Sequence, residues 1–415
     1  MKAAAPAAPS RSAAIGSGIL FLLAAFMGLQ PLSTDLYLPS LPAIGEHFGA
    51  SPMAVQSTLS VFIAAFAFGQ LLVGPMSDRF GRRPMVLGGL SLYLASSLAG
   101  ALAPTLAWLV TARFFQALGV CCTVLCARAI VRDLYEPEAG MRVMARAQGW
   151  MTVCTLLGPI AGGVLQSLFG WRAAFVALVS IGAAITLVAA RSLPESNRHR
   201  NPLATRPVPL LATYASIARS PDFRAFAVPL TGSYGCLFAF ISGSSYVLIG
   251  VLGVSPAMYG LTFGFVTLGF LAGTLVARRL QPRIGIRGTA MAGGVLLAAG
   301  GLAMAALAAA GIQTVAAVVV PVFFTLMAQG LVGPSCQVGG IAAFPRSAGA
   351  AAALLGFTMH LGAAAVGWWI GAGHDGTTLP LSATIGGIGL VTAVLAVALL
   401  REPRPPAAGA GQGAA

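Results

Sequence analysis

Gly74-Pro75-Met76-Ser77-Asp78-Arg79-Phe80-Gly81-Arg82-Arg83-Pro84 stands between two long apolar runs, near 53–77 and 84–103. It reads G-x3-D-R-x-G-R-R-P, a short charged turn linking two segments that avoid water. Its glycines permit a tight turn and close helix approach. An acid such as Asp78 suits a helix N-terminus, where the dipole favours negative charge. The arginines can pair with an acid on a neighbouring helix or with lipid phosphates. Three arginines alone would be an ordinary cytoplasmic loop of a membrane protein; the full spacing is more specific than that.

Outward from this turn the pattern repeats. A membrane-crossing helix needs about 20 largely apolar residues. Runs of that kind lie near 17–38, 53–77, 84–103, 106–131, 143–168 and 172–190, and again near 224–250, 256–277, 289–310, 312–333, 347–371 and 380–400. The first run is too long and interrupted for a cleaved signal peptide, and eleven more follow it. The widest gap, 191–223, is polar, Arg-rich and contains proline, and it divides the runs six and six. The expected organisation is a disordered tail over 1–14, a six-helix bundle over 15–190, a cytoplasmic linker over 191–223, a second bundle over 224–400 and a disordered tail over 401–415. The fold class is therefore an all-α membrane protein with 12 transmembrane helices.

Composition agrees. Hydrophobic residues make up 57% of the 415 and charged residues 8%, against about 25% charged in soluble domains. The mean hydropathy is +0.87. A net charge of +14 would suggest nucleic acid if the cations clustered on one solvated face, but they are scattered between apolar runs. With the N-terminus inside, all of the 24 Lys and Arg except Arg113 and Arg172 fall in cytoplasmic segments, which sets the orientation and puts both termini in the cytoplasm. Trp368 and Trp369 suit an outer aromatic belt.

Several function classes drop out. The single lysine, Lys2, leaves no G-x-x-x-x-G-K-[ST] phosphate loop. Neither H-E-x-x-H nor G-x-S-x-G occurs, and His47, His199, His360 and His374 are far apart, so no metal site, cofactor or enzyme activity is expected. Cys121, Cys122, Cys126, Cys154, Cys236 and Cys336 all lie in apolar runs and read as packing residues. Twelve spans without an ATPase point to a secondary transporter.

Other stretches carry chemistry. In span five, Gly149-x8-Gly158-Pro159-x2-Gly162-Gly163 sets Gly158 and Gly162 one turn apart, a small-residue packing face, and Pro159 permits a kink. Span four holds Arg113, with Gln116 one turn on. A charge within a span costs about 2.5–3.5 kcal/mol on insertion scales, so it needs a partner or a cavity. Asp35 is the one acid deep in a span, and counted from the ends of their runs both groups lie about 10 Å deep at 1.5 Å per residue. The spacing predicts an ion pair or shared water cluster; the plain alternative is that Asp35 caps the end of span one. Tyr234, Phe238 and Ser242 share a face of span seven that is either core or cavity. His360 is expected to be packed and hydrogen-bonded rather than a second proton carrier.

The turn at 74–84 resembles the signature loop of the major facilitator superfamily, and Gly273-Thr274-Leu275-Val276-Ala277-Arg278-Arg279 is similar to a degenerate second copy, with Ala277 in the place of Asp78. The span-five pattern resembles the antiporter motif of drug-exporting members. Span one (Gln30-Pro31-Leu32-Ser33-Thr34-Asp35-Leu36-Tyr37-Leu38-Pro39), Leu237-Phe238-Ala239-Phe240-Ile241-Ser242 and Gly253-Val254-Ser255-Pro256 resemble the Bcr/CflA-type drug/proton antiporters. The resemblance covers roughly 17–400. It implies two pseudo-symmetric six-helix bundles, proton coupling through Asp35 and Arg113, and a substrate cavity including Gln30, Tyr37, Gln116, Tyr234, Phe238 and Ser242. It also implies a conformational latch of Gly74, Asp78, Arg79, Gly81, Arg82, Arg83 and Asp133, in which, in the outward-facing state, Asp78 caps a helix of the other half and Arg82 pairs with Asp133. The implied protein is a monomeric multidrug exporter of the bacterial inner membrane whose partners are small molecules, protons and lipid. A metabolite transporter of the same fold and a non-transporting membrane sensor are the rival readings.

Overall fold

The computed structural model describes residues 17–198 and 200–400; the tails expected over 1–14 and 401–415 lie outside the described residues. Thirteen α-helices and no strands occur among those residues. The first half holds α1 (Ser17–Asp35), α2 (Leu41–Phe48), α3 (Pro52–Phe80), α4 (Arg82–Ala101), α5 (Leu106–Leu134), α6 (Pro137–Phe169) and α7 (Arg172–Ser192). After α8 (Pro207–Arg219) come α9 (Pro221–Ser245, prolonged by a wider turn to Val251), α10 (Pro256–Ala309), α11 (Val315–Ala342), α12 (Ala348–Ala372) and α13 (Leu379–Leu399).

Eleven described helices are long and apolar enough to cross a membrane, and one of these is the 54-residue α10. An unbroken helix of that length would reach about 80 Å, far beyond a hydrocarbon core of about 30 Å. Gly285, at φ 71°, breaks it into two legs, so the chain has twelve crossings. A side chain at that φ would be strained, and glycine is not.

Gly285 also makes the turn that follows the second copy of the signature loop. That turn lies at Pro282-Arg283-Ile284-Gly285-Ile286-Arg287, beyond 273–279, which are helical as 74–80 are in the first half; Gly273 packs against the Met327 carbonyl of α11. The counterpart of Gly285 in the first half is Gly81, at φ 104° between α3 and α4. Helix starts repeat in the same way. Ser51 before Pro52 and Ser255 before Pro256 accept from the third residue onward at 3.3 Å each, and Thr105 and Thr314 do so at 3.2 Å. Each hydroxyl satisfies one free N–H of a helix start. The halves thus share turn and cap chemistry at equivalent crossings, as a parallel repeat requires.

Within the first half α1 packs on α5, α6 and α7, and α5 on α3 and α4; in the second, α9 packs on α11, α12 and α13, and α10 on α11 and α13. Two seams join the halves, α3 with α12 and α6 with the first leg of α10. Most buried apolar side chains form one cluster through both halves; a smaller one gathers α8, α9 and α12 near the signature-loop end. Trp368 and Trp369 are exposed near the far end of α12, where an interfacial belt would lie.

Candidate functional site

Asp35 is the last residue of α1, where the chain leaves the helix through a turn at Leu38–Ser40 before α2 continues the crossing. The crossing runs on to Phe48, so Asp35 sits nearer its middle than its end, deeper than run lengths imply. It is 3% exposed, and its Oδ1 accepts a 2.8 Å hydrogen bond from Thr34 Oγ1.

Arg113 is fully buried in α5. Its Nη1 donates to the Ser33 carbonyl at 2.9 Å and to Gln116 Oε1 at 2.6 Å. Its guanidinium lies 4.3 Å from the Phe62 ring centre and 4.8 Å from that of Tyr37. Gln116 passes the network on, Nε2 donating to Ser97 Oγ at 2.8 Å, while Ser33 Oγ and Tyr93 Oη are 2.9 Å apart. No Asp35–Arg113 ion pair forms among the described residues: Arg113 reaches the backbone two residues before the acid. Residues two apart on a helix face directions about 200° apart, so a guanidinium bonded at Ser33 does not meet the Asp35 carboxylate. Arg113 Nε and Nη2 meet no partner. Unpaired buried donors cost about 1–3 kcal/mol each, more when charged, while desolvated stacking on a ring returns about 2 kcal/mol. Such a guanidinium is ready to receive a carboxylate or another acceptor.

The span-five glycines explain where Asp35 sits. A Cβ on Gly158 would lie 3.1 Å from Asp35 Cβ, and one on Gly162 would enter the Leu36 carbonyl. On the adjacent side of α6, Gly163 seats the Pro256 carbonyl and Gly260 of α10 seats the Pro159 carbonyl. The short motif Gly158-Pro159-x2-Gly162-Gly163 is therefore pressed on one side by the acid-bearing turn of α1 and on the other by the opposite half. Gly149 takes no part in this packing, since a Cβ there would meet nothing within 4 Å.

The signature loop is held in the same detail. Arg82 Nε donates to Asp133 Oδ2 at 3.0 Å, as the resemblance implied, and Nη1 pairs with Asp78 Oδ1 at 2.7 Å. Asp78 thus faces Arg82 within its own half and, among the described residues, caps no helix of the other half in this arrangement. Arg79 donates to Thr205 Oγ1 at 2.6 Å and Arg83 to the Ala190 carbonyl at 3.0 Å. Gly81 makes the turn, whereas Gly74 meets nothing within 4 Å. Glu195, which the motif does not include, caps α4 from the linker: its carboxylate accepts from Arg82 N at 2.9 Å and Arg83 N at 3.2 Å. An acid just after a span, three residues past the end of α7, was the signal available.

The six proposed cavity residues do not meet in one place. Tyr37 Oη is 2.8 Å from Thr58 Oγ1, and Gln116 lies in the Arg113 network. Phe238 and Ser242 pack on Gly367 within the second half, and Gly367 also faces Ser60 of α3 across the seam. The Tyr234 ring lies tilted 5.1 Å from that of His360, whose Nδ1 is 3.0 Å from Gln70 Nε2 of the first half. Gln30 is half-buried in α1. The α2 end of the molecule is sealed, Gly371 of α12 fitting over Gln56 and Met53 of α3. Nearby, burial pushes the His374 imidazole below its ordinary value, and Asp375 offsets this in part. Gln56, Ser60, Ser242 and Ser245 keep polar atoms without partners inside that seal.

Residues 14–367 match the family described as Major Facilitator Superfamily. Multidrug resistance protein D of Escherichia coli is 27% identical over 83% of this chain and 86% of its own length. Chloramphenicol resistance protein of Pseudomonas aeruginosa is 30% identical over 67% of each chain. An uncharacterized MFS-type transporter, YdgK, of Bacillus subtilis is 31% identical over 63% of this chain, a match that spans 65% of that relative. Among solved structures, a D-xylose-proton symporter superposes with TM-score 0.71 at 17% identity, covering 92% of this chain and 98% of its own, which speaks for the fold alone.

Proposed function

Because the chain belongs to the Major Facilitator Superfamily, we propose that this multi-pass membrane transporter exports amphipathic drugs or related small molecules across the bacterial inner membrane in exchange for protons. It is a transporter and not an enzyme. The observation that carries the reading is the buried carboxylate of Asp35 seated on Gly158, inside the glycine-proline motif that also forms the seam with the other half. Relatives whose names record resistance to chloramphenicol and to multiple drugs support the export direction.

The arginine-rich loops orient the signature-loop end to the cytoplasm, so the sealed α2 end faces outward and the arrangement is closed to the outside. Protonation of Asp35 removes a charge on the shoulder that α6 shares with α1; deprotonation restores it and leaves an acceptor two residues from Arg113's anchor at Ser33. Either change acts on the Gly158–Gly162 contact and, one residue further, on the Gly163–Pro256 seam. Rocking of the halves about that seam gives alternating access, with Arg82–Asp133–Asp78 as the latch at the inner end. The substrate face would draw on Gln30, Tyr37, Gln116, Tyr234, Phe238 and Ser242 as the seam opens.

The test is a susceptibility panel in a pump-deficient bacterium, using chloramphenicol-like, bicyclic peptide and cationic compounds. Wild-type chain is expected to protect against at least one class, and Asp35→Asn at equal membrane abundance against none. Protection by neither, with both proteins in the membrane, would turn the reading toward a metabolite substrate.

A further inference from the structure

The helix inside the linker, α8, has two apolar faces and only one of them is covered. Tyr214 and Ile217 are buried against α9 and α12, and Tyr214 Oη donates to the Leu71 carbonyl of α3 at 2.9 Å. The helix therefore touches the second half by packing and the first half by a hydrogen bond. On its other face Val208 is 76% and Leu211 65% exposed, with Ala212 and Ala215 beside them. At thirteen residues α8 is too short to span.

Its depth says what lies against that face. Leu71 is nine residues from the end of α3 at Phe80, about 13 Å along the helix. The 29 residues of α3 reach about 44 Å, so about 7 Å protrudes at each side of a 30 Å hydrocarbon core. Leu71 then lies some 6–7 Å inside the hydrocarbon, and the length of a tyrosine side chain puts the axis of α8 at the headgroup boundary. Charge completes the case: Arg206 and Arg219 flank the exposed face and Arg224 follows. All three are exposed, and none is ion-paired among the described residues. Asp222 is the one acid between 200 and 224.

We propose that α8 is an interfacial helix whose Val208–Leu211–Ala215 face lies in the leaflet at the signature-loop end and whose Arg206 and Arg219 bind anionic phospholipid headgroups. Apolar burial with flanking cations is the physics of membrane-surface helices, and each arginine near an anionic surface strengthens attachment about fivefold. Through Tyr214 the lipid-held helix ties α3 to α12 at the end where the halves must part. The inference needs the chain in a bilayer but not the proposed direction or substrate of transport.

The test uses the full-length protein with Leu211→Cys carrying a nitroxide, in phosphatidylethanolamine vesicles with or without phosphatidylglycerol in both leaflets; protein lacking the added cysteine supplies the background. Oxygen should broaden the signal more than a water-soluble nickel complex does. A fluorophore at the same position should transfer energy to trace labelled phosphatidylglycerol in preference to labelled phosphatidylcholine. Arg206→Gln with Arg219→Gln should lower that preference by up to about 25-fold, the lysine pair should keep it, and inorganic phosphate should not compete. Contact with the nickel complex would place the face in water. Shielding from both probes would mean that protein, such as a second copy, covers it. Either result, or equal transfer to both lipids, overturns the proposal.

Discussion

Replacing Gly162 with alanine puts a methyl group where the structure has the Leu36 carbonyl oxygen, carbon and Cα. All three are backbone atoms one residue beyond Asp35, so no side chain can swing aside and α6 must move off α1 by about an ångström. Overpacking of this kind costs about 1–3 kcal/mol, and a backbone obstacle puts it at the upper end. Alanine returns about 1 kcal/mol of helix propensity, leaving a net loss of about 2 kcal/mol. Gly149 is the internal control: it belongs to the same sequence pattern but a Cβ there meets nothing within 4 Å, so Gly149→Ala should gain about 1 kcal/mol. Thermal unfolding of the purified proteins in one detergent, followed by intrinsic fluorescence, should move in opposite directions for the two variants. Transport should fall for Gly162→Ala at temperatures where it is still folded, because the displaced turn carries Asp35. Equal shifts of the same sign would refute the claim that the short motif is a contact with the acid-bearing turn.

Four further outcomes follow from the loop and the topology. Arg82 is buried with two acids, so a double-mutant cycle of Arg82→Gln and Asp133→Asn should show a coupling of about 1–3 kcal/mol in unfolding, and independent effects would reject the pair. Glu195→Gln keeps an acceptor but loses the charge at the start of α4 and should cost about 1 kcal/mol; Gly81→Ala should cost more, since it strains φ and strikes Glu195. Reporter fusions within 191–223 should be cytoplasmic and fusions near Glu46 and Asp375 external, and an external central linker would overturn the orientation.

Much of the fold was legible because a crossing must be about 20 apolar residues whatever its neighbours do. The Arg82–Asp133 contact was anticipated only through the resemblance of the 74–84 turn to the family's signature loop, since nothing in the spacing alone selects Asp133 as the partner. Three features were not. Gly285 is one of 52 glycines, and only its positive φ separates it from the packing glycines around it. The helix at Pro207–Arg219 is apolar but only thirteen residues long, too short to register as a crossing, and its order comes from packing on α9 and α12. The absent Asp35–Arg113 pair reflects azimuth: a guanidinium with Tyr37 and Phe62 on its faces and the Ser33 carbonyl at 2.9 Å is directed by tertiary contacts that no spacing encodes.

Drug-dependent proton movement in everted membrane vesicles tests the central claim most directly, comparing wild type with Asp35→Asn. The amide fills the volume of the carboxyl but cannot release a proton, so the variant should fold, unfold near the wild-type temperature and carry drug only downhill. Wild type should show proton release from the vesicle lumen upon drug addition, and Asp35→Asn none. Full proton-coupled uptake by Asp35→Asn would contradict the account and make His360, at the Gln70 contact between the halves, the next group to replace.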